Sequence, residues 1–207
     1  MVDPITLLAF VPAALALNLT PGPDMMFCLG QGLRAGPRAA FAASGGVAVG
    51  GMVHVALAGL GLGALIAAHP WAFDVIRWIG VAYLLYLAAG AFRPLPPAGP
   101  TGPGLSVGRA FGTGFAINMT NPKVILFVLA FVPQFIRPET GNVLGQFMIF
   151  GAVIGFGGFF LNGAVGAFAG HFGRAFATGG RSARVTSWIS GGIFLGLAAR
   201  LAVLERT

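Results

Sequence analysis

Two charges set into apolar surroundings, Asp24 and Lys123, are the residues best placed to do chemistry in this chain. They close two similar stretches, Asn18-Leu-Thr-Pro-Gly-Pro-Asp24 and Asn118-Met-Thr-Asn-Pro-Lys123, in which Asn and Thr recur at an offset of 100 residues. A carboxylate in such a place can hold an ammonium group or carry a proton, and an ammonium can hold a carboxylate. Together they match the polarity of a zwitterionic amino acid. A lysine within a membrane span costs about 2.5 kcal/mol or more, so Lys123 must face a partner or a watery cavity.

Each stretch breaks a helix. Pro21 and Pro23 suit the first turn of a new half-helix, where amide donors lack partners, and Thr20 is expected to cap it. Asp24 then lies in that first turn, where the helix dipole favours an acid, so a local capping role would also account for it. The same dipole disfavours Lys123 at the start of the second half-helix, so local helix stability does not explain it. Two arrangements are open. Asp24 and Lys123 could form a buried ion pair that only fixes packing. Alternatively, Lys123 and the two half-helix N-termini form a positive pocket for a carboxylate, with Asp24 serving an ammonium or a coupling proton. Asn18 and Asn118 would line the unwound segments, or only satisfy freed backbone groups.

The elements that must position these residues are membrane helices. Hydrophobic residues make up 57% of the chain and charged residues 8%, against about 25% charged in soluble domains; the mean hydropathy is +0.87. Runs near or above the roughly 20 residues of a spanning helix predict six spans: Ile5–Leu33, Ala39–Ala68, Trp71–Phe92, Ala110–Ile136, Asn142–Ala169 and Val185–Ala202. Strand alternation is absent, so the expected fold is an all-α bundle with interrupted first and fourth helices. The start lacks the basic region of a cleaved signal peptide, so the first run reads as a retained helix. The single cysteine, Cys28, excludes an intrachain disulfide.

A Pro/Gly-rich linker over residues 93–108 divides one transmembrane domain, 1–207, into halves of about 1–92 and 109–207. Each half holds three spans and begins with a broken one. Three is odd, so the halves would enter the membrane from opposite sides as an inverted repeat, the arrangement in which broken helices mark a transporter's midplane site. Gly-x-x-x-Gly pairs at Gly46 and Gly50, Gly59 and Gly63, Gly151 and Gly155, Gly166 and Gly170, and Gly192 and Gly196 predict close helix packing within the bundle, or a homodimer contact.

The net charge of +7 resides in scattered arginines without a basic stripe, which argues against nucleic acid. Arg34, Arg38, Arg93, Arg109, Arg174, Arg181 and Arg184 fall on one side of the predicted topology, and Arg77, Arg137, Arg200 and Arg206 on the other. Positive-inside bias then puts both termini outside.

Other functions have thinner support. Lys123 is the sole lysine and no phosphate-binding Gly-x-x-x-x-Gly-Lys loop surrounds it, which disfavours an ATP-driven pump. Met25, Met26 and Cys28 beside Asp24 would suit a soft metal, although packing explains them as well. Ser44 and His54 would serve an intramembrane hydrolase only if the fold brought them together. His54 and Asn162 sit at roughly matching places in the two halves, lining the pathway or bonding between helices. A non-transporting membrane subunit would use the charges structurally.

The motif pair resembles that of the lysine exporter (LysE/RhtB) family of bacterial amino-acid translocators, which has Asn-x-x-Pro-Gly-Pro in the first span and Asn-Pro-Lys in the fourth. The likeness covers the whole chain in length and span layout. It implies a six-helix inner-membrane exporter of amino acids or related metabolites, exchanging them with protons and using no cofactor. Carried over are Pro21, Gly22, Pro23 and Asp24 with Asn121, Pro122 and Lys123; Asn18, Thr20, Asn118 and Thr120 complete the candidate substrate or coupling site. Asp24 is the only acid deep within a span, so a dicationic amino acid would leave one charge unpaired, and a neutral amino acid is the expected cargo.

Overall fold

The computed structural model describes residues 2–69, 71–92, 103–169 and 181–203. The described residues form eight α-helices: α1 (Pro4–Leu19), α2 (Pro23–Ala35), α3 (Pro37–Ala68), α4 (Ala72–Ala91), α5 (Val107–Met119), α6 (Pro122–Ala130), α7 (Val143–Ala167) and α8 (Arg181–Val203). Two short 3-10 turns, Val132–Phe135 and Pro138–Thr140, follow α6. Of the linker expected over 93–108, residues 93–102 lie outside the described residues, and the next helix begins at Val107.

Both breaks form where the sequence predicts. Helices α1 and α2 meet at a bend of 55°, and the pair Val107–Met119 with Pro122–Phe135 bends by 54°. Among the described residues three helices are long and apolar enough to cross a membrane, up to five spans result if each bent pair counts as one, and Ser187–Val203 is a shorter apolar helix. The predicted boundaries hold within a few residues, and the chain is an all-α membrane bundle.

The long helices α3 and α7 pack along each other, α5 lies against α3, and α4 packs on α8. The approach of α3 and α5 is tight enough that a side-chain carbon at Gly46 would collide with the Phe111 carbonyl oxygen, and one at Gly114 with that of Ala43. Small residues thus set this contact, as helix packing in lipid requires. By contrast, a side-chain carbon at Gly192 or Gly196 on α8 would meet nothing within 4 Å among the described residues. An aromatic cluster packs α1 against α7 and the segment that follows α6: Phe10 of α1 lies 4.7 Å from Phe150 of α7 and 5.1 Å from Phe135, between ring centroids, and Phe127 lies 4.9 Å from Phe131. Phe10, Phe127 and Phe150 are fully buried.

Candidate functional site

The two breaks end their first half-helices alike. Thr20 and Thr120 each donate a backbone N–H to the carbonyl four residues back, Ala16 and Ala116, at 3.0 and 3.2 Å. Their hydroxyls donate to the same carbonyls, at 2.6 Å for Thr20 and 3.1 Å for Thr120. Thr20 therefore caps the C-terminus of α1 rather than the N-terminus of α2, correcting the sequence expectation. Pro21 and Gly22 intervene before the helix resumes, so the hydroxyl reaches back more readily than forward. Gly22, the residue before α2, supplies no side-chain cap, whereas Asn121 accepts the Lys123 N–H at 3.0 Å and caps α6.

Lys123 resolves its unfavourable position by leaving its own helix. Its ammonium donates to the Leu17 carbonyl at 3.0 Å and the Thr20 carbonyl at 2.8 Å. These lie at the C-terminal end of α1, where carbonyls lack intrahelical donors and the dipole favours a cation. A dipole penalty in α6 becomes a cap on α1.

Asp24, 5% exposed, accepts from Asn118 Nδ2 at 2.8 Å, joining α2 to α5. Among the described residues the ion pairs are Asp74–Arg77 and Asp3–Arg137, so Asp24 and Lys123 do not form the direct pair considered from the sequence. Both nonetheless line one cavity of about 30 Å3, together with Asn18, Asn118, Asn162 and Gly158. That is the scale of ordered water rather than of a ligand pocket of about 300 Å3 or more. Asp24 Oδ1, Asn118 Oδ1 and Asn162 Oδ1 are buried without hydrogen-bond partners. The amide of Asn118 is oriented by its Nδ2 bond to the carboxylate, so the orphaned atom is its acceptor oxygen.

Glycines on the facing helices make room for the two asparagines. Asn18 donates to the Ile154 carbonyl of α7 at 3.0 Å and packs over Gly158, where a side-chain carbon would lie 3.0 Å from Asn18 Oδ1. Asn118 occupies the matching place over Gly50 of α3, at 2.8 Å from such a carbon. His54 Nε2 donates to the Asn118 carbonyl at 3.2 Å, giving His54 the interhelical role.

A second, larger cavity of about 550 Å3 is also lined by Lys123. Its wall includes Thr20, Pro21, Gly22, Pro23, Asn121, Pro122 and Lys123, together with Tyr83 of α4 and Ser187 of α8. Thr120 is exposed and lines neither of these cavities. Tyr83 and Ser187 escaped sequence reasoning, whose only available signal was a polar group within each of two apolar runs.

The residues considered for hydrolase and metal chemistry have other partners. Ser44 and His54 are ten residues apart on one continuous helix, about 15 Å along its axis, and the Ser44 hydroxyl donates to the Phe159 carbonyl at 2.8 Å. Cys28 packs among Ala39, Ala43, Val47 and Ala110. Among the described residues no group of three or more His, Cys, Asp or Glu side chains could hold a metal ion.

A family model described as LysE type translocator matches residues 15–205, a range that contains both breaks and both cavities. The chain belongs to this family. Among its relatives, an uncharacterized membrane protein of Vibrio cholerae is 38% identical over 146 residues, covering 70% of this chain and 71% of its own. The homoserine/homoserine lactone efflux protein of Salmonella typhimurium is 36% identical over 149 residues, 69% of this chain and 70% of its own. The leucine efflux protein of the same organism is 31% identical over 202 residues, 95% of this chain and 94% of its own. No solved structure matches this LysE-type chain significantly.

Proposed function

We propose that this LysE-type translocator exports amino acids across the bacterial inner membrane by exchange with protons, with a preference for neutral amino acids. The observation that carries the reading is the set of orphaned acceptor oxygens on Asp24, Asn118 and Asn162 around one cavity. Buried acceptors without donors are costly, and the chemistry that satisfies them is a donor-rich cation. A substrate ammonium group supplies three N–H donors, and a proton on Asp24 supplies one. Ammonium and proton would thus occupy Asp24 in turn, which is the requirement for exchange. One carboxylate serves one positive charge, so a second charge on the substrate side chain would be left unpaired in a low-dielectric setting. The relatives named for leucine and homoserine efflux support a neutral cargo.

The halves 1–92 and 109–207 are read as an inverted repeat. Support comes from the matched bends, the two Ala-x-x-x-Thr caps, and the reciprocal packing of Asn18 over Gly158 and Asn118 over Gly50. In this reading both termini face outside, by the arginine distribution. Counterflow of labelled leucine, homoserine and lysine into proteoliposomes tests the cargo: the two neutral amino acids exchange and lysine does not. Exchange of lysine alone would overturn the preference.

A further inference from the structure

The larger cavity is lined by two residues that carry buried, unpartnered donors. Asn121 is 2% exposed and its Nδ2 has no hydrogen-bond partner. Because Asn121 Oδ1 accepts from the Lys123 N–H, the amide is oriented and the orphan is a donor. Ser187, 3% exposed, also has an unpartnered hydroxyl. The N-terminus of α2 opens beside them without a side-chain cap, and Lys123 Nζ would lie 3.1 Å from a side-chain carbon at Gly22. Among the described residues the lining contains no acid. The rest of the wall is apolar or aromatic, including Leu87, Leu126 and Tyr83, whose hydroxyl donates to the Pro122 carbonyl at 3.4 Å.

We propose that this cavity is the carboxylate subsite of the transport pathway, with Asn121, Ser187 and Lys123 as its donors and the α4 wall receiving an apolar side chain. Its volume, about 550 Å3, falls within the range of about 300–1,000 Å3 that holds small ligands. The inference rests on the amino-acid export reading and extends it: Asp24 serves the ammonium end and this cavity the carboxylate end. Lys123 lines both cavities and is the residue that their described linings share. A carboxylate that draws the Lys123 ammonium away from the Leu17 and Thr20 carbonyls would join the two spaces into one site for a zwitterion.

The test uses the full chain in proteoliposomes, with Cys28→Ala to remove the native thiol and Ser187→Cys to place one in the cavity. The rates of modification by sulfonatoethyl and trimethylammonium-ethyl methanethiosulfonate are compared with those for a free thiol. The expected anionic-to-cationic rate ratio is at least about tenfold above the free-thiol ratio, falling toward it when Lys123→Met is added. Leucine's carboxylate analogue, 4-methylpentanoate, slows the reaction and leucinamide does not. A ratio at or below the free-thiol value, no modification by either reagent, or no protection by 4-methylpentanoate would overturn the proposal. Export assays on vesicles of the natural chain, run beside the labelling, separate the two readings. Export without charge selectivity sinks the subsite alone, and charge selectivity with protection but no amino-acid export sinks the exporter reading alone.

Discussion

Asn118 reaches from the second broken span to the first, donating its Nδ2 to Asp24 Oδ2 at 2.8 Å. This bond holds the carboxylate at the cavity edge and leaves one oxygen on each residue unpartnered. Asn118→Leu removes one orphaned acceptor but leaves Asp24 Oδ2 without its donor, so it should fold with a stability lower by about 1–3 kcal/mol and lower counterflow at least about tenfold. Size-exclusion behaviour and counterflow on the same preparation check both halves of the statement. Retained transport would show that the bond is only structural.

Lys123→Met leaves the Leu17 and Thr20 carbonyls without their shared donor. The expected loss is about 1–3 kcal/mol of stability, the cost of unsatisfied buried groups, read as a lower midpoint in detergent thermal unfolding. Transport should also be lost. Adding Asp24→Asn should not restore it, because the two residues do not form a direct ion pair. Recovery in the double variant would indicate a pair with a purely structural role.

How much of this was legible in the sequence depends on the residue. Proline and glycine act locally, so Pro21, Gly22, Pro23 and Pro122 disclosed both breaks, and hydropathy disclosed the helices around them. Thr20 was misassigned because its hydroxyl has acceptors behind it and amides ahead, and only the extended path through Pro21 and Gly22 decides between them. The partners of Lys123 were hidden for a different reason: the end of α1 lies more than a hundred residues away in sequence, and dipole reasoning within α6 carries no information about it. Tyr83 and Ser187 were invisible because a polar group in an apolar span declares neither its facing nor its neighbours.

Close packing separates glycines of equal appearance. Gly46→Ala must displace the backbone of α5 at Phe111 and should cost about 1–3 kcal/mol, as overpacking does. Gly192→Ala meets nothing within 4 Å among the described residues and should change stability by less than about 0.5 kcal/mol. Thermal unfolding of the two variants side by side checks the contrast.

Just before α1, the Thr6 hydroxyl donates to Asp3 at 2.6 Å and holds its carboxyl below the usual value, helped by the Thr6 backbone N–H and by Arg137. A lowered folded pKa stabilises above the unfolded value of about 3.9 and the effect is lost as pH falls through the folded value. The difference in unfolding midpoint between the natural chain and Asp3→Asn should therefore be present near about pH 6 and shrink as pH falls below about 3.9 through the folded value. A difference that grew on acidification would contradict the assignment.

The central claim is that Asp24 exchanges a substrate ammonium for a proton within a site completed by Lys123. Its most direct test is efflux of a panel of labelled amino acids from proteoliposomes under an imposed pH gradient, for the natural chain, Asp24→Asn and Lys123→Met. The account predicts gradient-driven efflux of at least one neutral amino acid, abolished in both variants while each remains folded. Gradient-driven efflux that persists in Asp24→Asn, or no efflux of any amino acid from the natural chain, would contradict it.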